Sequence, residues 1–138
     1  VFGTHGDTFK NDSDEETEVR WWAKGGTLIG ESPKRIAFFR KIMEEAPVTE
    51  MSPDLVDNGN AENLNNNIYT FSKKGEYYLT YVADSAQTME LNLPGTADYN
   101  LQVIDTWNLK TVTEENVGSG PFKYETKMPY TALRLISK

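Results

Sequence analysis

The stretch TMELNLPGTADYNLQVIDTW, residues 88–107, decides the fold. Apolar and polar residues alternate strictly over residues 88–93, which is the period of a β-strand with one buried face. Pro94-Gly95 is typical of a tight turn that requires glycine at its second central position. A second alternating run, residues 99–107, follows the turn. The stretch therefore predicts two consecutive strands, each with an apolar face.

The same alternation extends outward from this stretch in both directions. The flanking runs are bounded by turn residues, such as Lys-Lys-Gly at 73–75 and Gly-Ser-Gly-Pro at 118–121. We therefore expect a mainly β chain with about six or seven short strands, folded as an antiparallel β-sandwich of the immunoglobulin-like type. The other runs are IYTFS (68–72), EYYLTYVA (76–83), LKTVTEE (109–115), FKYETKM (122–128) and YTALRLIS (130–137).

The alternation also predicts which side chains share a face of each strand. Three residues of the first run lie on one side, namely Met89, Leu91 and Leu93. Three residues of the second run are expected to point inward, namely Tyr99, Leu101 and Val103. In the last run one face carries Thr131, Leu133 and Leu135, and the opposite face carries Ala132, Arg134 and Ile136.

A helical pattern occurs only in SPKRIAFFRKIMEEA, Ser32–Ala46. Ser32 is predicted as the N-cap, because its hydroxyl can accept from the free N–H groups of the first turn. Pro33 suits the first helical position, and Pro47 ends the helix. The apolar stripe is broad enough to require burial. We expect it to pack on the sandwich, or to mediate self-association with another chain, through Ile36, Phe39 and Met43.

Composition restricts the classes of function. The 138 residues are enough for one core of ordinary size, and the net charge of −7 argues against binding to nucleic acid. No apolar run approaches the length of a membrane span. The absence of cysteine excludes a disulfide scaffold, a thiolate metal site and a cysteine nucleophile. We expect a soluble globular protein that binds neither nucleic acid nor membranes.

The patterns divide the chain into three parts. Residues 1–47 contain a short strand, a loop-rich segment and the helix; residues 48–67 form a connector rich in proline and asparagine; residues 68–138 form the sandwich. The connector is longer than most links between elements, which favours a boundary between units. The sequence from Val1 lacks a signal-peptide pattern, so the localisation, cytoplasmic or secreted, stays open.

Few residues are candidates for chemistry. His5, the only histidine, and Asp7 make a weak pair for a metal, so we expect neither a metal nor a cofactor. Asp105 lies within an apolar strand, where a carboxylate is costly unless it is hydrogen-bonded. A structural role, in which it caps a neighbouring turn, is the simpler interpretation. Adjacent Trp21 and Trp22 indicate packing more often than binding, although an exposed tryptophan beside a cleft suits sugar stacking.

Two groups of motifs resemble a known family. The run GTHGDTF and the longer run RWWAKGGTLIGESPKRIAFFRKIMEEAP look like the last β/α unit of a (β/α)₈-barrel glycoside hydrolase, of a type related to cellulase-like and apiosidase-like enzymes. The later runs, from YTFSKKGEYYLTYV through VIDTWN to YTALRLIS, resemble the all-β module that follows such barrels. This barrel is often described only as a domain of unknown function. The resemblance covers nearly the whole chain.

The resemblance implies a division of roles. Residues 1–47 would be the eighth strand, its exit loop and the eighth helix, while the catalytic carboxylates would lie on earlier strands that this chain lacks. The substrate-contact candidates on the barrel's C-terminal face would be His5, Asp7, Thr8, Trp21 and Trp22. Independently of the resemblance, Asp105 and Trp107 are candidates for structural polar roles. The chain departs from the family pattern at two of these loop positions, because Asp7 stands where the family has Glu and Phe9 where it has Tyr.

Three functional hypotheses follow. The first is an accessory β-sandwich module of a glycoside hydrolase that acts on plant or microbial polysaccharide, and the chain also carries the last β/α unit of the barrel. Alone, this chain is expected to be inactive, because hydrolysis needs two carboxylates. Its partner would be carbohydrate, through the missing barrel. The second is a free-standing carbohydrate-binding module that uses Trp21, Trp22, Trp107 or tyrosines. The third is a purely structural domain, which would bury Trp107.

Overall fold

The computed structural model describes residues 8–10, 27–53, 68–83 and 87–138, and the statements below concern those residues. The chain divides into two units, Val1–Glu45 and Ala46–Lys138. The candidates His5, Asp7, Trp21 and Trp22 lie outside the described residues. The three-part division predicted above stays a prediction.

The first unit contains a small antiparallel pair and a helix. Strand β1 (Thr8–Lys10) pairs with β2 (Thr27–Ile29), with Phe9 opposite Leu28. Helix α1 spans Ser32–Glu44. The predicted Ser32 cap is wrong by one residue, because Glu31 is the N-cap and makes no side-chain cap bond. The helix also stops earlier than predicted, because a residue that precedes proline, here Ala46, is disfavoured in the α conformation.

The apolar stripe of α1 is only partly buried. Ile42 is buried, whereas Ile36 is 43% and Phe39 60% exposed, and Met43 is intermediate. Two ion pairs cover part of the helix surface, Lys34–Glu31 at 3.2 Å and Arg40–Glu44 at 2.7 Å. Because both pairs are largely exposed to solvent, each stabilises the helix by well under about 1 kcal/mol. Docking or self-association through this stripe stays a prediction.

The second unit begins with a single 3-10 turn, Val48–Glu50, and then folds as two antiparallel sheets. The larger sheet has the order β3-β4-β5-β10-β7-β8, and the smaller sheet pairs β6 with β9. The strands are β3 (Ser52–Pro53), β4 (Ile68–Lys73), β5 (Tyr77–Val82), β6 (Thr88–Leu93), β7 (Tyr99–Asp105), β8 (Lys110–Val117), β9 (Gly120–Glu125) and β10 (Thr131–Ser137).

The core contains the side chains that alternation assigned to the inner faces. Met89, Leu91 and Leu93 of β6 are all at most 3% exposed. They belong to one cluster with the inward residues of the large sheet. Other members of this cluster are Ile68, Tyr78, Val82, Tyr99, Leu101, Val103, Leu133 and Leu135. The mainly β, antiparallel sandwich is therefore confirmed, and seven strands of six to eight residues match the predicted number.

One end of the sandwich is fixed by buried tyrosine hydroxyls. Tyr78 Oη accepts a hydrogen bond from the Gly75 N–H at 2.8 Å. Tyr99 Oη lies 3.1 Å from the carbonyl oxygen of Gly75 and 2.9 Å from the carbonyl oxygen of Pro94. Its hydroxyl proton is therefore shared between the carbonyl groups of two turns. The two rings meet edge to face, 6.1 Å between centroids. We call this region the tyrosine end, defined by Gly75, Tyr78, Pro94 and Tyr99.

Gly75 closes the turn between β4 and β5. Its φ of +82° lies in the left-handed region, which costs a residue with a Cβ about 1–2 kcal/mol. No described helix is long and apolar enough to cross a membrane.

Candidate functional site

The sequence-predicted contact residues do not assemble into a site that the structure describes. Of the five substrate-contact candidates only Thr8 falls within a described element, as the first residue of β1. Its side chain is not described. Among the described residues no group of three or more His, Asp or Glu side chains could hold a metal ion.

Asp105 organises the turn after β7. It is 5% exposed and ends the strand. Its Oδ1 accepts hydrogen bonds from the backbone N–H groups of Trp107 at 3.1 Å and Asn108 at 2.9 Å. Its Oδ2 accepts from Asn108 Nδ2 at 2.7 Å. Both carboxylate oxygens are therefore occupied within its own turn, and this arrangement offsets the cost of burying the charge.

These bonds also set the protonation of Asp105. The side-chain amide of Asn108 is the main cause that lowers the pKa of this carboxyl below its ordinary value, assisted by the two backbone donors and by Lys110. Burial acts in the opposite direction without reversing the shift. A general acid needs a raised pKa, so Asp105 is suited to hold a turn and not to donate a proton.

The same turn displays Trp107 against Tyr130. Their ring centroids lie 5.5 Å apart with 26° between the planes, which is a stacked pair. Trp107 is 51% and Tyr130 42% exposed. Each ring is therefore about half exposed to solvent. Stacked aromatic pairs contribute about 0.5–1.5 kcal/mol to stability in addition to the burial of their apolar area.

Several bonds hold Tyr130 in place beside this turn. Its carbonyl oxygen accepts from the Thr106 N–H at 3.1 Å and from the Thr106 hydroxyl at 2.5 Å. Thr131 Oγ1 donates to the Met128 carbonyl at 2.9 Å, which closes the segment before β10. Tyr130 has φ +55° and Leu109 has φ +58°, and these are the described non-glycine residues with positive φ. Strain of this kind persists where the surroundings hold it, and it occurs often at functional sites.

The exposed apolar side chains of the sandwich collect at this end. One register row joins Ile68, Val82, Thr131, Asp105 and Lys110 across five strands, and it marks where β4, β8 and β10 begin and β5 and β7 end. Tyr69 and Tyr81 face each other one position further along, on the side of the sheet away from the core. We call this region the aromatic end, defined by its exposed side chains Tyr69, Tyr81, Trp107, Val112 and Tyr130.

A β-bulge shapes the edge of the aromatic end. Thr111 pairs with Ile104 and Thr113 with Val103, so Val112 is the extra residue of β8. Bulges redirect side chains and occur often beside functional sites. Sequence reasoning identified Trp107 as a candidate but missed Tyr130, because the two residues meet only through the pairing of β7 with β10.

An antiparallel β-sandwich with an exposed aromatic end, together with a first unit whose described residues include helix α1, defines the class of this chain as a β-sandwich module. The model of a family described as "Domain of unknown function (DUF5605)" matches residues 67–136, about half of the chain. The chain belongs to this family. No curated protein matches it in sequence.

Solved structures give the relationship at the level of the fold. A glycoside hydrolase matches with a TM-score of 0.58 at 17% identity over 74% of this chain. A glycoside hydrolase family 5 protein from Bacteroides vulgatus ATCC 8482 matches with a TM-score of 0.60, at the same identity and coverage. A "putative glycoside hydrolase" from the same organism matches with a TM-score of 0.61 at 23% identity over 90% of this chain.

The matched chains are much longer than this one, which covers 24%, 23% and 27% of their respective lengths. The chain therefore spans about a quarter of the structures it resembles. The predicted resemblance to part of a glycoside hydrolase is confirmed at the level of the fold.

Proposed function

We propose that this chain is the C-terminal portion of a glycoside hydrolase: an accessory β-sandwich, joined to the last β/α unit of the barrel, that does not hydrolyse glycosides alone. The observation that carries the proposal is the fold shared with three glycoside hydrolases, of which the chain covers about a quarter. The substrate class we infer for the parent enzyme is plant or microbial polysaccharide.

The chemistry of the described residues supports a non-catalytic role. Canonical glycoside hydrolysis uses two carboxyl groups, about 5–9.5 Å apart, and one of them must stay protonated near neutral pH. Asp105 is the carboxylate buried among the described residues, and both its oxygens accept bonds from its own turn. Its lowered pKa is the opposite of what a general acid requires.

A hydrolysis assay on the purified 138-residue chain tests the proposal. We expect no release of p-nitrophenol from a panel of p-nitrophenyl glycosides above the rate of a blank. Turnover that Asp7→Asn abolishes and Asp98→Asn leaves unchanged would refute the non-catalytic role, since Asp98 is an exposed carboxylate outside any predicted site. The gene gives a second test, because a coding region upstream of Val1 without a (β/α)₈ barrel would contradict the assignment to such an enzyme.

A carbohydrate-binding module is the second candidate function. The observation that favours it over a purely structural domain is the exposure of Trp107, which a shielding domain would bury. This candidate is compatible with the first, because an accessory module can bind the polymer that its enzyme degrades.

A further inference from the structure

We propose that Trp107, with Tyr130 stacked against one face of its ring, forms a stacking platform for the pyranose rings of a neutral polysaccharide. This inference rests on the proposed function, since it takes as its ligand the polymer on which the parent enzyme acts. The platform would tether the enzyme to that polymer from the aromatic end of the sandwich.

The first argument is the chemistry of the exposed side chains. A pyranose ring has an apolar face of C–H groups, which packs on an aromatic ring, and hydroxyls at its rim, which need hydrogen-bond partners. Tryptophan and tyrosine combine a large apolar ring with one polar group, so they can pack on the apolar face of a sugar and also hydrogen-bond to its hydroxyls or to water. Trp107 and Tyr130 are both about half exposed, and Asn108 beside them is an exposed polar residue.

The second argument is that the pair is held in place before any ligand arrives. Two backbone N–H groups, of Trp107 and Asn108, and the side-chain amide of Asn108 donate to Asp105 and fix the turn that carries Trp107. Two bonds from Thr106 fix the carbonyl of Tyr130. A ligand that gains little free energy per contact binds measurably only if the side chains it contacts are already ordered in the free protein, because no free energy is then spent on ordering them.

The third argument concerns charge. The chain has a formal net charge of −7, which repels an acidic polymer. Stacking needs no charge on the ligand, and the residues that form the pair are uncharged. A neutral polysaccharide therefore fits the surface better than a uronic-acid polymer or a nucleic acid.

The fourth argument is the extent of the surface. From β4, which carries Tyr69, to β7, which leads to Trp107, the sheet crosses three strand spacings, or about 14 Å. The strands that carry or lead to these exposed rings therefore extend over the width of several sugar rings and not one. We infer an oligosaccharide segment as the ligand, with Trp107 as its main contact and Tyr130 supporting that ring.

The fifth argument is the position of the covalent junction. The residues that open the second unit pair with the opposite end of the large sheet: Ser52 lies opposite Ser72, and Glu50 Oε2 is 3.0 Å from Lys73 Nζ. Lys73 and Ile68 are the two ends of β4, roughly 16 Å apart. The described residues 50–53 therefore contact the end of β4 away from Trp107 and do not cover the aromatic end.

Native affinity electrophoresis of the 138-residue chain tests the platform. The gels contain xyloglucan, mixed-linkage β-glucan, arabinoxylan or galactomannan, with bovine serum albumin as the unretarded reference, and pull-down on cellulose covers an insoluble polymer. We expect at least one of these polymers to retard the chain. Trp107→Ala is expected to weaken that binding at least tenfold, and Tyr130→Ala to weaken it several-fold.

The matched control is Phe39→Ala, which removes an aromatic ring at least as exposed as Trp107 from the helix of the first unit. We expect it to bind like the unaltered chain. Circular dichroism and the melting temperature check that each variant is folded. The proposal is overturned if no polymer retards the unaltered chain, or if a folded Trp107→Ala variant binds equally well.

The two proposals fail separately. Absent polysaccharide binding with absent hydrolysis removes the platform and leaves the accessory role. If Trp107→Ala instead weakens association with the separately expressed barrel, the aromatic end is an internal interface, and the platform is likewise overturned. Hydrolysis by the chain itself overturns the accessory role whatever the binding result.

Discussion

The two ends of the sandwich use the same residue type in opposite ways. At the tyrosine end, Tyr78 and Tyr99 are fully buried, and their hydroxyls bond to the backbone of two turns. At the aromatic end, Tyr69 and Tyr130 are half exposed. Tyrosine therefore contributes to the core and the turns at one end, and to the solvent-exposed surface at the other.

The two ends also differ in how they respond to pH. Burial raises the pKa of the Tyr99 hydroxyl, with a smaller contribution from Tyr78. Hydrogen bonds from Asn108 lower the pKa of the Asp105 carboxyl. The tyrosine end is therefore weakened by alkali and the aromatic end by acid. The comparison can be tested one end at a time.

The largest expected effect separates a buried from an exposed tyrosine. Tyr78→Ala should reduce the free energy of unfolding by about 3–5 kcal/mol, because it leaves a cavity in the core and removes the acceptor of the Gly75 N–H. Tyr69→Ala should cost less than about 1 kcal/mol, since this ring is 49% exposed. Urea denaturation followed by circular dichroism measures both values. Equal losses would remove the distinction between the two ends.

The second prediction concerns Asp105→Asn. The amide oxygen can still accept from the turn, but its NH₂ group faces Asn108 Nδ2 as a second donor, so unfolding at pH 7 should become easier by about 1–2 kcal/mol. The folded pKa of Asp105 lies below the unfolded value of about 3.9. Its contribution is therefore complete above that value and is lost as the pH falls through the folded pKa.

Denaturation of both proteins between pH 7 and pH 2.5 measures the difference. We expect it to be constant from pH 7 to about pH 5 and to shrink in more acidic solution. Asp98→Asn is the matched control, because that carboxylate is exposed at the opposite end of β7. A difference that does not change with pH would show that the carboxylate charge does not stabilise the turn.

The strands and their inner faces could be predicted from the sequence because their signal is local. Alternation over six residues identifies β6, and burial of Met89, Leu91 and Leu93 follows from it. The polar position of Asp105 in an apolar strand likewise indicated a turn carboxylate. These inferences need only neighbouring residues.

The aromatic end could not be predicted in this way. Trp107 and Tyr130 are far apart in the chain and meet because Asp105 pairs with Thr131. Trp107 ends the run predicted over residues 99–107 and Tyr130 begins the run over residues 130–137, and alternation within each run does not show that the two rings meet. The helix shows a related limit of prediction from sequence. The apolar stripe at helical spacing identified α1, but it did not show that Ile42 is the buried residue of that stripe.

The smallest expected effect is that of Tyr99→Phe at the tyrosine end. The ring and its packing remain, while the carbonyl oxygens of Gly75 and Pro94 lose one donor, so the free energy of unfolding should fall by about 1 kcal/mol at pH 7.

The raised pKa of Tyr99 means that its neutral hydroxyl stabilises the fold below the unfolded pKa of about 10, and that this stability is lost as the pH rises through the folded pKa. The difference in the free energy of unfolding between the two proteins should therefore narrow in strongly alkaline solution. Urea denaturation from pH 7 to pH 11.5 measures it, with Tyr69→Phe as the exposed control. A gap that stays constant to pH 11.5 would mean that the Tyr99 hydroxyl does not fix the turns in its neutral form, and the two ends would then no longer differ in their response to alkali.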